Sequence, residues 1–417
     1  MKIFILLLLP QLVWAMPSKD EQFKISLKTV IDNSTKHDVK PGMVVASPSR
    51  SNPDYYFDWV RDTALTMRSL IDYWEMSKDP KVKKMIFTWI DAEAYRQNLP
   101  TFSGLGEPKY NIDGSGYTGP WGRPQNDGPA LRATAMIKFA RLMMAEGNTD
   151  FVIKKLYHGI LPADSVIKKD LEYTAYNWQV PSFDLWEEEL GMHFYTLLSQ
   201  HTALQEGSKL ARELGDYGAA DFYGQQASWI AEKLKYEFID SRVGILVTTH
   251  KPHGGLGYKN SGLDVAPLLA LLHNAPYQKV FSFNHPAVRK YVDVLKNTFA
   301  QIYTVNKEYP ELGVAIGRYP EDKYNGYHTS GEGNPWFLTT LALGEYYCQL
   351  KKENKEYSNM LTGLTERQFA RALFHSDRKG AMDEQIHRES GVMQGARELT
   401  WSHNAFMTAM MRCGFVK

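Results

Sequence analysis

"PALRATAMIKFARLMMAE", residues Pro129 to Glu146, places apolar side chains at positions i, i+3 and i+4 along its whole length. This spacing is typical of a helix, because 3.6 residues complete one helical turn. Pro129 suits the first helical position, where the missing N–H would have no partner in any case. The stretch therefore predicts one long helix, and its pattern recurs through most of the chain.

Other segments with the same helical spacing account for most of the remaining sequence. They are Phe57–Met76, Ala163–Trp178, Glu187–Leu214, Ala219–Phe238, His285–Tyr303 and Asn334–Leu350, with weaker edges in Pro80–Gln97, Leu361–Phe374 and Arg397–Arg412. Period-2 alternation is scarce and gives only a short candidate strand near Gly244–Thr249. No repeat, low-complexity linker or shift in composition marks a second domain. We therefore predict a single all-α domain of roughly ten to twelve helices.

The composition limits the classes of partner. The chain has 417 residues, of which 43% are hydrophobic and 23% charged, which is enough apolar material for a large core. Its net charge of +1 provides no strong field for nucleic acid or an anionic membrane, and a neutral partner fits at least as well. The aromatic content is high, at 13%, and flat rings with a polar edge suit sugars as well as cores.

The N-terminus has the pattern of a secretory signal. Lys2 precedes the short apolar run Ile3–Leu9, and Ala15 offers a small residue for cleavage. We predict that residues 1–15 are a cleaved signal peptide and that residues 16–417 form an exported domain, in the periplasm or the medium. No later segment reaches about 18 uninterrupted apolar residues, so we expect no membrane association after cleavage. We also expect a monomer.

Only two cysteines are present, Cys348 and Cys413. Two are too few for a disulfide framework or a cysteine metal site. They could pair in an oxidising compartment, but two buried free thiols are the expectation from sequence.

Four long loops separate the helical segments. They are Ser47–Tyr56, Gly104–Gly128, His250–Gly262 and Gly317–Gly333, and they are rich in Gly, Pro, Asn and aromatic residues. Long ordered loops in a compact domain are usually functional. We expect the helices to form a scaffold and the loops at one end to form a site.

Carboxylates and aromatic residues come together in three of these loops, all but His250–Gly262, and in "SFDLWEEELG", residues Ser182 to Gly191. There is no HExxH pair, no metal-ligand spacing among the histidines, no GxSxG and no P-loop, so we predict no metal and no cofactor. Paired carboxylates beside aromatic rings are typical of glycoside hydrolysis. The alternative is structural: arginine–carboxylate pairs that tie loops down and tryptophans that fill the ends of a helical bundle.

Six segments, taken in order, resemble the successive motifs of the glucoamylases of glycoside hydrolase family 15. They are "NPDYYFDWVRD" (52–62), "TGPWGRPQNDGPALRATAM" (118–136), "DLWEEE" (184–189), "GRYPED" (317–322), "GNPWF" (333–337) and "LTWSHNAF" (399–406), within a span from about Val44 to Met411. The resemblance implies an (α/α)6 barrel and an inverting mechanism. It also implies release of β-glucose from the non-reducing ends of α-1,4-glucans.

The resemblance assigns roles to the acidic stretch. In the family the first glutamate after the tryptophan is the general acid, and this position is Glu187. Glu188 and the main chain of Leu185 match sugar-binding positions, and Asp184 is interpreted as tuning the acid, since nearby negative charge favours a protonated carboxyl. Glu189 has no implied role and is expected to face solvent.

The implied catalytic base is a glutamate followed by a glutamine, upstream of the Leu-Thr-Trp-Ser motif. Counted without gaps from "LTWS", this glutamate is Glu384, in a loop that we expect at the barrel mouth. Glu389 is the second candidate, but its neighbour Arg388 makes a surface ion pair the simpler interpretation. Val392 stands where some members have a further, non-catalytic glutamate.

The resemblance implies two more groups of substrate-binding residues. Those around the terminal glucose are Tyr55, Arg61, Asp62, Trp121, Arg318 and Asp322, and the aromatic residues of the pocket are Trp178, Trp336 and Trp401. Phe57 replaces a tyrosine found in many members, which puts one hydrogen bond in doubt.

The expected function is therefore that of an exo-acting α-glucosidase with an α-glucan or malto-oligosaccharide substrate. A trehalase or an α-1,6-preferring glucodextranase is the alternative among enzymes with helical barrels. An inactive sugar-binding protein on the same scaffold is the non-enzyme alternative. The presence of both Glu187 and Glu384 favours catalysis.

Overall fold

The computed structural model describes residues 16–250, 252 and 256–416, so the predicted signal peptide at residues 1–15 lies outside the described residues. The helices are α1 (Lys19–Ser34), α2 (Val60–Ser77), α3 (Pro80–Arg96), α4 (Asp127–Ala145), α5 (Thr149–Phe151), α6 (Val166–Asn177), α7 (Phe194–Glu213), α8 (Tyr217–Glu237), α9 (Ala266–His273), α10 (Pro286–Ile302), α11 (Thr304–Glu308), α12 (Phe337–Glu353), α13 (Ser358–His375) and α14 (Thr400–Arg412). A 3₁₀ turn spans Gly104–Gly106 and a π turn spans Val152–Leu156.

The strands are short and lie in the connections between helices. They are β1 (Asp58–Trp59), β2 (Lys109–Tyr110), β3 (Ser182–Phe183), β4 (Leu190–His193), β5 (Ile239–Asp240), β6 (Ile245–Leu246), β7 (Thr249–His250), β8 (Gln385–Ile386) and β9 (Met393–Gln394). All pairings are antiparallel: β1 with β2, β5 with β6, β8 with β9, and β4 between β3 and β7. The predicted strand near Gly244–Thr249 corresponds to β6 and the start of β7.

Six helices form a closed inner ring. In order, α2, α4, α7, α9, α12 and α14 each contact the next, and α14 contacts α2 again. The outer layer packs on this ring: α1 on α14, α3 on α2, α6 on α4 and α7, α8 on α7, and α13 on α12. Helix α10 completes the outer layer, with the Tyr291 hydroxyl donating to the Asp264 carbonyl (2.7 Å) just before α9. This arrangement is the predicted (α/α)6 barrel in a single domain.

Two of the described helices, α9 and α1, are not among the predicted helical segments. The inner helix α9, from Ala266 to Leu272, is buried on all sides, as expected for an apolar run without a polar face. Because such a run has no helical period, it was not predicted. Helix α1 was also missed, although Ser18 and Glu21 form a capping box at its start.

The predicted helix start at Glu187 is seven residues early, and those at Phe57, Ala163, Asn334 and Arg397 are each three residues early. The helix expected from Glu187 begins at Phe194, because Glu187 has a φ of +67° and β4 then runs in extended conformation. The helix expected from Asn334 begins at Phe337, because Trp336 is extended at ψ 150°. In both places the residues that were assigned to a first helical turn lie in a loop instead.

The expectation of two buried free thiols is wrong. Cys348, in α12, is joined by a disulfide to Cys413, directly after α14. Since α12 and α14 are neighbours in the inner ring, the two Cα atoms lie 5.4 Å apart, within the usual range for a disulfide.

Among the described helices, none is long and apolar enough to cross a bilayer.

Candidate active site

A pocket of about 1020 Å³ opens at the end of the barrel where the inner helices begin. The predicted residues that line it are Tyr55, Arg61, Asp62, Trp121, Leu185, Glu187, Glu188, Arg318, Trp336, Glu384 and Trp401. Arg61 and Asp62 belong to the first turn of α2, and Trp401 to that of α14. Helix N-termini carry partial positive charge, so this end of the barrel favours carboxylates.

The carboxylate of Glu187 is held through one of its two oxygens. The indole of Trp59 and the side-chain amide of Gln125 both donate to Oε1, each at 2.9 Å. The Nη2 atom of Arg61 lies 3.7 Å from the same oxygen. None of these contacts engages Oε2, so this oxygen is left to a ligand in the pocket.

Asp184 fixes the turn that carries Glu187 and is not part of the pocket wall. Its Oδ1 accepts the backbone N–H groups of Glu188 and Glu189, at 2.8 and 2.9 Å. Its backbone carbonyl accepts the N–H of Glu187 at 3.0 Å. Asp184 is therefore the support of an otherwise strained turn.

The other two glutamates of the stretch, Glu188 and Glu189, each contact a different set of side chains. Glu188 accepts from Arg318 and from the Tyr319 hydroxyl, both at 2.8 Å. Burial, the largest influence, raises the pKa of Glu188. Glu189 is buried, with Oε2 4.0 Å from Lys259, so the expectation that it faces solvent is wrong. Four carboxylates that are close in sequence thus point to different partners, which limits their mutual repulsion.

Glu384 lies just before β8 and is fully buried at the pocket wall. The Tyr324 hydroxyl donates to its two oxygens at 3.4 and 3.2 Å, and the Ala396 N–H lies 3.4 Å from Oε2. The Tyr55 hydroxyl is 2.9 Å from that of Tyr324. Burial raises the pKa of Glu384 from 4.5 to about 7, against hydrogen bonds that lower it.

Of the two candidates for the base, only Glu384 faces this pocket. Glu389 is exposed, and its backbone N–H donates to the His387 ring. Arg388 does not pair with Glu389 as expected, but with Glu332 at 3.2 Å.

Two guanidinium groups in the pocket are oriented by buried carboxylates. Asp322 lies behind the pocket wall and accepts from Nε and Nη2 of Arg318, at 2.8 and 2.6 Å. Asp127 accepts from Arg61 at 2.7 Å. Asp62 lies 3.9 Å from Arg61, and burial raises its pKa to about 7. Such a set of fixed donors suits the hydroxyl groups of a sugar.

The indole N–H groups of Trp121 and Trp336 are buried and find no acceptor within the described part of the chain. A buried polar group usually has a partner, and an orphaned one costs about 1–3 kcal/mol. Both rings line the pocket, so a bound hydroxyl would satisfy each N–H group.

A lysine that sequence analysis did not identify is surrounded by aromatic rings. The Lys109 ammonium lies 3.7 Å from the ring centroid of Trp121, 3.9 Å from Phe57, 4.3 Å from Tyr117 and 4.6 Å from Trp59. Lys109 is also the β2 partner of Trp59 in β1. Burial lowers its pKa from 10.5 to about 8. Phe57 therefore contributes a ring face to this aromatic cage.

Trp178 does not line the pocket, contrary to expectation. It follows the last residue of the outer helix α6, and its indole donates to Gln226 of α8 at 2.8 Å. Its ring lines a different groove on the outside of the barrel.

Several residues that line the pocket or contact Glu187 were not predicted as site residues. Trp59 stands within a motif noted from sequence, whereas Gln125 and Tyr324 carry no sequence signal apart from their place in two of the motif-bearing loops. Trp186 is fixed by its indole N–H, which donates to Asp264 at 2.9 Å. In the described residues no three His, Cys, Asp or Glu side chains are grouped as a metal site would require.

The chain is similar to known proteins over most of its length. The model of "Glycosyl hydrolases family 15" matches residues 24–411. A glucoamylase of Blastobotrys adeninivorans is 34% identical, with 95% of this chain and 71% of that protein covered. A protein named probable glucoamylase from Schizosaccharomyces pombe is 35% identical, with 95% and 92% covered. The structure of a Saccharomycopsis fibuligera glucoamylase superposes with a TM-score of 0.85 at 29% identity, covering 95% of each chain.

Proposed function

Because this chain belongs to family 15 of the glycosyl hydrolases, we propose that it is a glucoamylase. It cleaves α-1,4-glucans and malto-oligosaccharides from their non-reducing ends and releases β-D-glucose. The observation that carries this proposal is the presence of two differently held carboxyl groups, those of Glu187 and Glu384, on the wall of one pocket.

Glu187 is the general acid. Its Oε1 is fixed by Trp59 and Gln125, which leaves Oε2 to give a proton to the glycosidic oxygen. The bond from the anomeric carbon to that oxygen breaks as the proton arrives, and the remaining glucan departs as an alcohol. The positive charge that develops on the sugar ring is favoured by the surrounding carboxylates.

Glu384 is the general base. It accepts a proton from a water molecule that attacks the anomeric carbon on the face opposite the leaving group, which inverts the configuration. Since burial raises its pKa to about 7, the carboxylate is a stronger base than an exposed glutamate. The hydroxyls of Tyr55 and Tyr324 are placed to orient that water.

The fixed donors and aromatic rings of the pocket bind the terminal glucose of a glucan chain. Arg61 and Arg318, each locked by a carboxylate, present fixed donors to the hydroxyls of the terminal glucose. The rings of Trp121 and Trp336 offer flat apolar faces to the pyranose. Glu188, the Leu185 main chain and Trp401 complete the sugar-binding wall, and Asp322 and Asp184 act by positioning their neighbours.

The test is incubation of the purified protein with maltose, isomaltose, trehalose and starch. We expect glucose from maltose and starch, with the β-anomer first in a proton NMR time course. Initial α-glucose would contradict inversion. Faster release from trehalose or isomaltose would favour the trehalase or the α-1,6 alternative, and binding without glucose release would favour a sugar-binding protein.

We also propose that the enzyme is exported after removal of residues 1–15 and acts as a monomer. The disulfide between Cys348 and Cys413 supports export, because such bonds persist in oxidising compartments. The N-terminal sequence of the protein recovered from culture fractions, together with its sedimentation coefficient, tests both points.

A further inference from the structure

A second groove, of about 1210 Å³, lies on the outside of the barrel and is separate from the catalytic pocket. It is formed where the end of α6, the sheet β3–β4–β7 and helix α8 meet. Its wall includes Trp178, Pro181, Met192, Trp229, Tyr236 and His250.

The α8 side of this groove is unusual for the solvent face of an outer helix. Trp229, Glu232, Lys233 and Tyr236 follow the spacing i, i+3, i+4 and i+7, so they share one face. Trp229 is 45% exposed and Tyr236 is 83% exposed. Their Cα atoms are separated along the helix axis by about 10 Å, at 1.5 Å per residue. Exposed large aromatic residues in a cluster usually mark a binding surface.

The chemistry of the groove fits a carbohydrate. Trp178 forms a buried aromatic floor, and its hydrogen bond to Gln226 holds the ring in place. Between the two exposed rings lie Glu232 and Lys233, and the Lys233 ammonium donates to Glu237, a further residue of the groove, at 2.6 Å. Flat apolar rings interspersed with polar side chains match the alternating apolar faces and hydroxyl edges of a glucan chain.

The groove is also close to the catalytic pocket along two separate segments. Pro181 lines the groove and Leu185 lines the pocket, and four residues of extended chain span at most about 14 Å. The same limit applies to Glu188 in the pocket and Met192 in the groove. The wall of the groove therefore lies within about 14 Å of the wall of the pocket.

We propose that the groove with Trp229 and Tyr236 on its rim is an accessory binding site for α-glucan chains. This inference rests on the proposed function for the identity of the polymer. The role of the groove is substrate capture, because it retains long glucans on the enzyme. It has no part in the hydrolysis of maltose, because both glucose units of maltose are accommodated within the pocket.

The experiment compares Trp229→Ala/Tyr236→Ala with Tyr217→Ala. Tyr217 is a matched control, because it is 62% exposed on the same helix and does not line the groove. Each change is also made in Glu187→Gln protein, so that adsorption to granular starch is measured without hydrolysis. We expect the double variant to bind starch about fivefold to tenfold more weakly, with Tyr217→Ala unchanged. In the active background, kcat/KM for maltose should match that of the wild type.

Equal starch adsorption by the double variant and the control would overturn the proposal. So would unchanged starch adsorption combined with loss of a dimer on sedimentation, because the groove would then bind a second copy of the chain. If the double variant unfolds, Tyr236→Ser alone provides the test, since this side chain is almost fully exposed. Failure of the wild type to release glucose from maltose, with groove-dependent starch binding intact, would refute the proposed function and leave this site standing.

Discussion

Gly395 lies so close to Glu384 that a β-carbon at residue 395 would stand 2.3 Å from Oε2 of the carboxylate. Gly395 also has a φ of +80°, which few other residues adopt. The glycine therefore leaves the space that the base occupies.

Gly395→Ala should displace the Glu384 carboxylate and lower kcat by about tenfold or more, since a misplacement of 1 Å is costly in catalysis. Gly215→Ala is the matched control: its φ is +83°, and a β-carbon there meets nothing within 4 Å. Both variants should lose about 1–2 kcal/mol of stability from the left-handed backbone. Equal kcat values for the two variants would show that the space beside Glu384 is not needed.

Glu187→Gln should reduce kcat by about 10²–10⁴-fold, because the amide N–H is far too weak an acid to protonate the leaving oxygen. Binding of maltose should persist, since Trp59 and Gln125 still face the side chain. Stopped-flow kinetics and calorimetric titration of maltose measure the two quantities. A rate like that of the wild type would remove Glu187 from the role of acid.

Glu384→Gln should abolish turnover and stabilise the fold at high pH. Because burial raises the pKa of Glu384 from 4.5 to about 7, the folded protein holds this proton more tightly than the unfolded chain. The associated stability is fully present below pH 4.5 and is lost as the pH rises through 7. Glutamine stays neutral, so the Tm advantage of the variant should be near zero at pH 4.5 and several degrees at pH 8.

Glu389→Gln is the control for this comparison, because Glu389 is exposed. It should keep its activity and show a Tm close to the wild-type value at both pH values. Loss of activity in Glu389→Gln, with an active Glu384→Gln, would reassign the base.

Lys109→Met should loosen the aromatic cage and, through Trp59, the acid Glu187. We expect kcat to fall about tenfold, as each cation–π contact is worth about 0.5–2 kcal/mol. The lysine is charged below its pKa of about 8, so the wild type should lose activity above that pH. Lys109→Arg should keep the charge and extend the active range upward. Coincident alkaline profiles for wild type and Lys109→Arg would exclude this cause.

Trp121→Ala should lower kcat/KM far more than it lowers the melting temperature, because its ring lines the pocket and is only partly buried. Trp89→Ala makes the opposite comparison. Trp89 is fully buried in the core, so its loss should cost about 3–5 kcal/mol of stability. A large shift in Tm for Trp121→Ala, with a normal rate per folded molecule, would make Trp121 a structural residue.

The sequence predicts the long helices because polar residues interrupt their apolar runs at helical spacing. It fails for α9, whose first seven residues, Ala266 to Leu272, are all apolar and therefore show no period. The sequence predicts a helix that begins at Glu187, earlier than the observed start at Phe194, because the local composition gives no sign of the left-handed backbone at Glu187. The order of the motifs identifies most of the pocket residues. The position of Lys109 among the aromatic rings depends on the register of β1 with β2, and the position of Trp178 outside the pocket depends on the course of α6. Neither feature can be derived from the sequence motifs.

The outer helix α1 packs against α14, the last helix of the inner ring, which in turn contacts α2, the first. The contact includes a hydrogen bond of 2.9 Å from Asn33 to Thr400 and the Lys19 ammonium over the Phe415 ring. The ring can therefore close only after α14, its last helix, has been synthesised. Pairing of segments that are so distant in sequence is slow. A stop codon anywhere before Thr400 would leave the ring open between α12 and α2 and would remove Trp401 from the pocket wall.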